Sequence, residues 1–203
     1  MTKDSRYNHI IEYVHNVYCE RFLEIGVCRG NTAKLILQNS KNKQIEYHGI
    51  DLFEDATPDL RRFERSLVAD SMSAVLKKLR KYSHNVFLYK GLSTTVFPNL
   101  RDAGLTFNCI WIDGGHSFKT VKADFENYSR LLKPNGIIFF DDYTDDPFIQ
   151  GIRRYFDEYL LKNNLYDVHI HGEKYVDQYR GYDYKVASVR KITIEKEGKH
   201  VTL

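Results

Sequence analysis

The sequence predicts one α/β domain over residues 1–203, a doubly wound sheet of seven strands, mostly parallel with an antiparallel C-terminal strand pair. Three observations carry this prediction. Short apolar runs at residues 22–25, 45–50, 85–90, 107–112 and 136–140 lack strict alternation, as parallel strands covered on both faces do. Segments of helical period separate those runs. The last two apolar runs, 165–171 and 184–194, are joined by a polar, Tyr-rich stretch without a clear helix, so they read as an antiparallel pair.

The elements follow in order. Tyr7, Ile10, Ile11, Val14, Val17 and Tyr18 recur at helical spacing, which predicts an amphipathic helix over about residues 5–18. The first strand ends in the Gly-rich stretch FLEIGVCRGNTA, and a helix over 32–38 leads to a second strand that ends at Asp51. A long connection, LFEDATPDLRRFERSLVAD, precedes a helix over 72–82 and a third strand. The fourth strand, FNCIWI, is followed by a long helix over about 118–132, and Pro134-Asn135-Gly136 reads as the turn before the fifth strand, GIIFF. A helix over about 148–163 precedes the antiparallel pair.

Composition excludes several classes. A chain of 203 residues that is 42% hydrophobic is long enough to bury a substantial core. The formal charge of +3 is too mild to point to nucleic acid or a membrane surface, and the basic run Lys77-Lys78-Leu79-Arg80-Lys81 reads as a solvated helix face. Cys19, Cys28 and Cys109 are an odd count without CxxC spacing, so neither a disulfide framework nor a zinc site is suggested and a reducing cytoplasm fits. The N-terminus has no signal-peptide apolar core, and no run is long enough to cross a bilayer.

The Gly-rich stretch identifies the kind of ligand. A dinucleotide fingerprint needs G-x-G-x-x-G, its second glycine letting backbone approach a pyrophosphate. Here the pattern is Glu24-x-Gly26-x-x-x-Gly30, and Cys28 stands where the second glycine belongs. A phosphate-free cofactor with an amino-acid head and a ribose, such as S-adenosylmethionine, needs only the sharp turn and a nearby carboxylate. Asp51, at the tip of the second strand, can accept hydrogen bonds from both ribose hydroxyls, a device NAD sites share. In GLSTTVFPNL, Gly91 and Ser93 either turn the chain beside an adenine or form a plain loop and helix cap.

Residues 109–143 are the most informative. Asp113 ends the fourth strand and Asp141-Asp142 the fifth, and neighbouring carboxyl ends of a parallel sheet face one crevice. Three converging carboxylates call for a counter-ion, for which an oxygen-preferring divalent cation such as Mg²⁺ is suited. Taken alone, Asp113 reads first as opening a turn with Gly114-Gly115, and Asp141 or Asp142 equally caps the next helix.

These segments, FLEIGVCRGNTA, GIDLF, GLSTTVFPNL and WIDGGHSFKTVKADFENYSRLLKPNGIIFFDDY, together with the antiparallel ending, resemble class I S-adenosylmethionine-dependent methyltransferases with their Rossmann-like sheet. The resemblance is closest to macrolide-sugar and catechol-type O-methyltransferases and covers roughly residues 20–192. It implies that Glu24, Gly26 and Gly30 border the methionine moiety, Asp51 the ribose and Ser93 the adenine. It further implies that Asp113, Asp141 and Asp142 hold the metal and that His116 is the base, whereas locally His116 also reads as a helix-entry residue. The reaction implied is metal-assisted transfer of the sulfonium methyl to a hydroxyl on a small molecule or sugar. A polysaccharide or glycolipid acceptor, or a cofactor-binding protein of the same fold without catalysis, stays open, as does a homo-oligomer. Base methylation of nucleic acid is disfavoured, because Asp113-Gly114-Gly115-His116 stands where an (Asn/Asp)-Pro-Pro-aromatic motif is typical.

Two further features are weaker. His169 and His171 lie two apart on a predicted strand, hence on one face, with Glu173 nearby; surface histidines are a commoner outcome of such spacing than a metal site. The stretch YVDQYRGYDYK reads as an acceptor-binding flap or as a solvated loop.

Overall fold

A computed structural model describes residues 7–172, 175–176, 181–196 and 199–202. Its elements are α1 (Asn8–Asn16), β1 (Arg21–Ile25), α2 (Asn31–Asn39), β2 (Glu46–Asp51), α3 (Pro58–Glu64), α4 (Met72–Leu79), β3 (Val86–Lys90), α5 (Ser93–Asp102), β4 (Phe107–Ile112), α6 (Phe118–Tyr128), β5 (Leu132–Thr144), α7 (Gly151–Glu158), β6 (Tyr166–Ile170), the two-residue β7 (Tyr175–Val176), β8 (Asp183–Lys191), β9 (Thr193–Lys196) and β10 (Lys199–Thr202). The main sheet has the order β3-β2-β1-β4-β5-β8-β6, with β7 paired to β8, while β9 and β10 form a separate hairpin. β1 to β5 pair in parallel, and β8 runs antiparallel to both β5 and β6. The predicted doubly wound sheet with an antiparallel ending is therefore the observed one.

Side chains from opposite faces of the strands build two cores. Leu23, Ile25, Ile110, Ile112 and Phe140 pack with Val121, Phe125 and Tyr128 of α6 on one face. Phe22, Tyr47, Cys109, Trp111 and Phe139 pack with Ile10 and Val14 of α1 and Ile36 of α2 on the other. Adjacent strand residues divide between the faces because successive side chains point oppositely. Two cores on one sheet explain why the strands read as continuous apolar runs.

Three boundaries differ from expectation. The connection after Asp51 contains α3, started by Thr57, whose hydroxyl accepts from the Leu60 amide, and by Pro58 in the first turn. Pro134-Asn135-Gly136 is no separate turn but a bulge inside β5: the register with β4 passes from Phe107↔Leu132 to Cys109↔Ile137, and Asn135 takes a left-handed φ of 62°. GLSTTVFPNL is mostly helix, with Ser93 the first residue of α5. No described helix is long and apolar enough to cross a membrane.

Candidate active site

The carboxyl ends of β1, β2 and β4 open into a cavity of about 790 Å³, roofed by α3 and the segment after it. One rim is backbone. Gly26 has φ 95°, and a Cβ there would lie 2.0 Å from the Asp113 carbonyl oxygen, so only glycine lets the turns after β1 and β4 meet. The Asp113 N–H locks that meeting by donating to the Ile25 carbonyl (2.8 Å), and the Gly26 N–H ties the turn to β2 through the Ile50 carbonyl (2.9 Å). Cys28 is left-handed, φ 52°, which aims its N–H at Asp51 Oδ2 (2.7 Å), while the Phe53 N–H reaches Oδ1 (2.7 Å). Asp51 is thus fixed at the cavity wall, and each of its oxygens keeps a lone pair for a ligand.

The other rim is charge. The carboxylates of Asp113 and Asp142 and the imidazole of His116 offer ligand atoms that all lie within 4.8 Å of one another. His116 Nε2 is 3.0 Å from Asp142 Oδ2, and Nδ1 is 2.5 Å from the Glu64 carbonyl. Burial pulls the His116 pKa down, but the hydrogen bond and charge of Asp142 outweigh it, aided by the Glu64 carbonyl, and raise it to about 9. These two partners favour an imidazolium donating at both nitrogens, whereas the sequence reading takes His116 as a neutral base. The first residue of α7 fixes it from behind, since Gly151 N–H donates to the His116 carbonyl and a Cβ on Gly151 would sit 2.1 Å from that oxygen.

The expected convergence of three aspartates is corrected to two. Asp141 is 1% exposed, does not join the Asp113–His116–Asp142 group, and accepts the Asp142 N–H on its own Oδ1. The cause is a one-residue bulge: the register with β8 passes from Phe140↔Ala187 to Tyr143↔Lys185, and Asp142 takes φ 59°. Such a bulge re-aims one side chain, so the adjacent carboxylates go separate ways.

Other predicted positions divide similarly. Gly26, Asp51, Ser93 and Asp113 line the cavity; Glu24 and Gly30 are not among its lining residues. Glu24 is buried beneath the turn and accepts the Tyr47 hydroxyl. Burial raises its pKa to about 8, against the Tyr47 hydrogen bond and with the Asp51 charge. Gly30, φ 67°, starts α2, and a Cβ there would come within 3.0 Å of Val75 in α4. His169 and His171 pack their rings against each other at 4.6 Å, and His171 stacks on His9 at 3.9 Å while meeting the Ser188 hydroxyl. Among the described residues, ligand atoms converge only at Asp113, His116 and Asp142; Glu173 and residues 177–180 of the Tyr-rich stretch lie outside the described residues.

Two acidic residues escape the sequence reading. Glu64, at the end of α3, accepts from Ser117 N–H (2.8 Å) and from the Ser117 and Thr120 hydroxyls (3.0 and 2.6 Å), tying α3 to the start of α6. Thr57-Pro58 is the start signal that marks this helix. Asp124 occupies the buried stripe of α6 with Val121, Phe125 and Tyr128, and an acid at a core position is itself the signal. It accepts the Ser93 hydroxyl, and burial raises its pKa to about 7, opposed by that bond and assisted by Glu64.

Comparisons with known proteins agree with this layout. An uncharacterized protein of Acanthamoeba polyphaga mimivirus is 28% identical over 140 residues, 68% of this chain and 59% of that protein, so the match spans less than two thirds of the relative. The O-methyltransferase of Streptomyces achromogenes involved in tomaymycin synthesis, solved with S-adenosylmethionine, superposes with a TM-score of 0.67 at 17% identity, covering 91% of this chain and 78% of that one. An rRNA methylase from Streptococcus thermophilus superposes with a TM-score of 0.63 at 11% identity, covering 95% and 99%. At these identities the two structures establish the shared fold. A family model described as a methyltransferase domain matches residues 23–143, from β1 to the end of the Asp141-Asp142 bulge, and the chain belongs to that methyltransferase family.

Proposed function

We propose that this chain is an S-adenosylmethionine-dependent O-methyltransferase that acts, with a divalent cation, on a hydroxyl of a small molecule or sugar. The observation that carries the reading is that one cavity joins the amide-pinned Asp51 to the Asp113–His116–Asp142 group. The cavity volume suits a nucleoside-sized ligand with an acceptor beside it. Asp51 is placed to take both ribose hydroxyls, and the glycine turn at Gly26 leaves room at the end of β1 for the amino-acid head.

The cofactor supplies a sulfonium methyl that is already activated, so the chain's task is to align an acceptor oxygen with it. Asp113 and Asp142 fit a cation by their chemistry: two carboxylates whose ligand atoms lie close together, with His116 the basic side chain that a cation would displace from Asp142. A cation there would lower the pKa of a bound hydroxyl. His116 serves as base only after it gives up the proton it holds against Asp142, and the Glu64 carbonyl then keeps Nδ1–H oriented, leaving Nε2 free to accept. Glu64 holds α3 over this end of the cavity.

The test is transfer of labelled methyl from S-adenosylmethionine to a panel of hydroxyl compounds, in chelator and with Mg²⁺ or Mn²⁺ restored. Turnover should require the metal and fall at least about 100-fold in Asp142→Asn, whereas His116→Ala should lose rate yet still bind the cation. Full turnover in chelator removes the metal from the proposal. Binding of the cofactor without transfer to any acceptor favours the non-catalytic alternative.

A further inference from the structure

Arg65 is a cation at the mouth of the cavity that no carboxylate of the described residues neutralises. It closes α3 in the left-handed region, φ 55° and ψ 27°, where the Ser66 N–H returns to the Arg61 carbonyl at 3.0 Å. Glycine is the usual residue at such a helix end, because a side chain there meets steric strain. An arginine held in that conformation points to a use for its side chain.

The side chain lines the cavity and is exposed at its rim. Its guanidinium carbon stands 4.8 Å from the centre of the Phe148 ring, a contact with an aromatic face that uses none of the guanidinium N–H donors. Two acids at this end have partners of their own: Glu64 accepts from Ser117 and Thr120, and Asp142 faces His116. The donors of Arg65 are therefore open to a ligand.

Two links place this cation at the acceptor end of the cavity. The Glu64 carbonyl, which belongs to the peptide bond leading into Arg65, is 2.5 Å from His116 Nδ1. Phe148 lies in the loop between β5, which carries Asp142, and α7, and its neighbour Ile149 lines the cavity. From the same roof and loop, Leu60, Leu67 and Ile149 add apolar side chains to the wall.

We infer that Arg65 binds an anionic group, a carboxylate or a phosphate, on the acceptor, so that the substrate class is a hydroxyl compound with an acid group of its own. This rests on the acceptor end identified under Proposed function. The planar fork of a guanidinium matches either anion with paired N–H bonds. A substrate anchored there is restricted in how its hydroxyl can approach Asp113 and Asp142, which is the alignment that methyl transfer needs. The cation proposed between those aspartates also offsets their repulsion of such a substrate.

In the experiment, S-adenosylhomocysteine is first titrated calorimetrically into the full chain with Mg²⁺, and the loaded protein then receives meta-hydroxybenzoate, meta-hydroxyphenyl phosphate or the neutral meta-hydroxybenzamide. The wild type should bind one or both anions at least about 10-fold more tightly than the amide, the tighter one naming the anion, and Arg65→Gln should bring all three within about 3-fold. Arg65→Gly suits φ 55°, so it should show the same loss with undiminished thermal stability, which separates lost recognition from lost folding. Equal wild-type affinity for the three probes, or binding of none, overturns the anion site and leaves the cofactor reading standing. A preference undiminished in Arg65→Gln overturns it as well. Failure of the first titration overturns the cofactor reading and, with it, the inference that rests on it.

Discussion

The two rims of the cavity are made differently. At the ends of β1 and β2, shape is fixed by backbone: Gly26 at φ 95°, Cys28 at φ 52°, and two amides at 2.7 Å on Asp51. At the ends of β4 and β5, it is fixed by side-chain charge, with His116 held between Asp142 and the Glu64 carbonyl and the acids Asp113, Glu64 and Asp124 lining the same space. A rim of backbone amides is complete before any ligand arrives, because its polar groups are already paired. A rim of crowded carboxylates is completed by whatever binds. Under the proposed function, the first suits the nucleoside part of the cofactor, which the reaction leaves unchanged, and the second a cation and an acceptor.

Breaking the backbone rim should have the largest effect. Gly26→Ala drives a Cβ to 2.0 Å from the Asp113 carbonyl oxygen and 2.5 Å from its carbon, in a φ region alanine avoids. The expected loss is about 3 kcal/mol or more in urea-denaturation stability, since backbone on both sides leaves no flexible side chain to yield. A stable Gly26→Ala protein that binds S-adenosylhomocysteine normally would mean that this rim is not the rigid one.

A smaller effect sharpens the contrast from beneath. Glu24 supports the backbone rim yet is itself a buried acid whose pKa is raised to about 8, by burial first, against the Tyr47 hydrogen bond and with the Asp51 charge. Between about pH 4.5 and 8 the unfolded chain releases a proton that the folded chain retains, so this residue subtracts stability as the pH rises through that window. Glu24→Gln, which still accepts the Tyr47 hydroxyl, should gain thermal stability over the wild type by a few degrees at pH 8.5 and little at pH 4.5, each kcal/mol being worth about 2–4 °C at this size. A difference that does not change with pH would show that Glu24 has the same pKa in the folded and unfolded chains.

The same contrast governs what could be read from the sequence. The backbone rim was legible: Gly26 and Asp51 stand at strand ends marked by apolar runs, and a parallel sheet puts such ends together. The charged rim was legible only in part, because adjacent aspartates carry no mark of which one a bulge will turn inward. Register slippage in β5 is a tertiary event, set by pairing with β8 about 45 residues away and visible only in the shift at Phe140/Tyr143. Glu64 was hidden for another reason: α3 is a single short helix of seven residues, too brief for periodicity to stand out, and its Thr57-Pro58 start was the sole local signal. The protonated His116 required both a carbonyl from α3 and a carboxylate from β5, neither of them near it in sequence.

Asp51, pinned by the Cys28 and Phe53 amides, is in the proposed function the fixed point at which a nucleoside cofactor is held. Calorimetric titration of S-adenosylhomocysteine into chelator-treated wild type and Asp51→Asn tests it most directly, because the backbone rim needs no metal. The wild type should bind at micromolar affinity that chelator does not weaken, and Asp51→Asn should bind roughly 30-fold or more weakly, as charge-assisted hydrogen bonds are lost. Undiminished affinity in Asp51→Asn, or wild-type binding of NAD with none of S-adenosylhomocysteine, would contradict it.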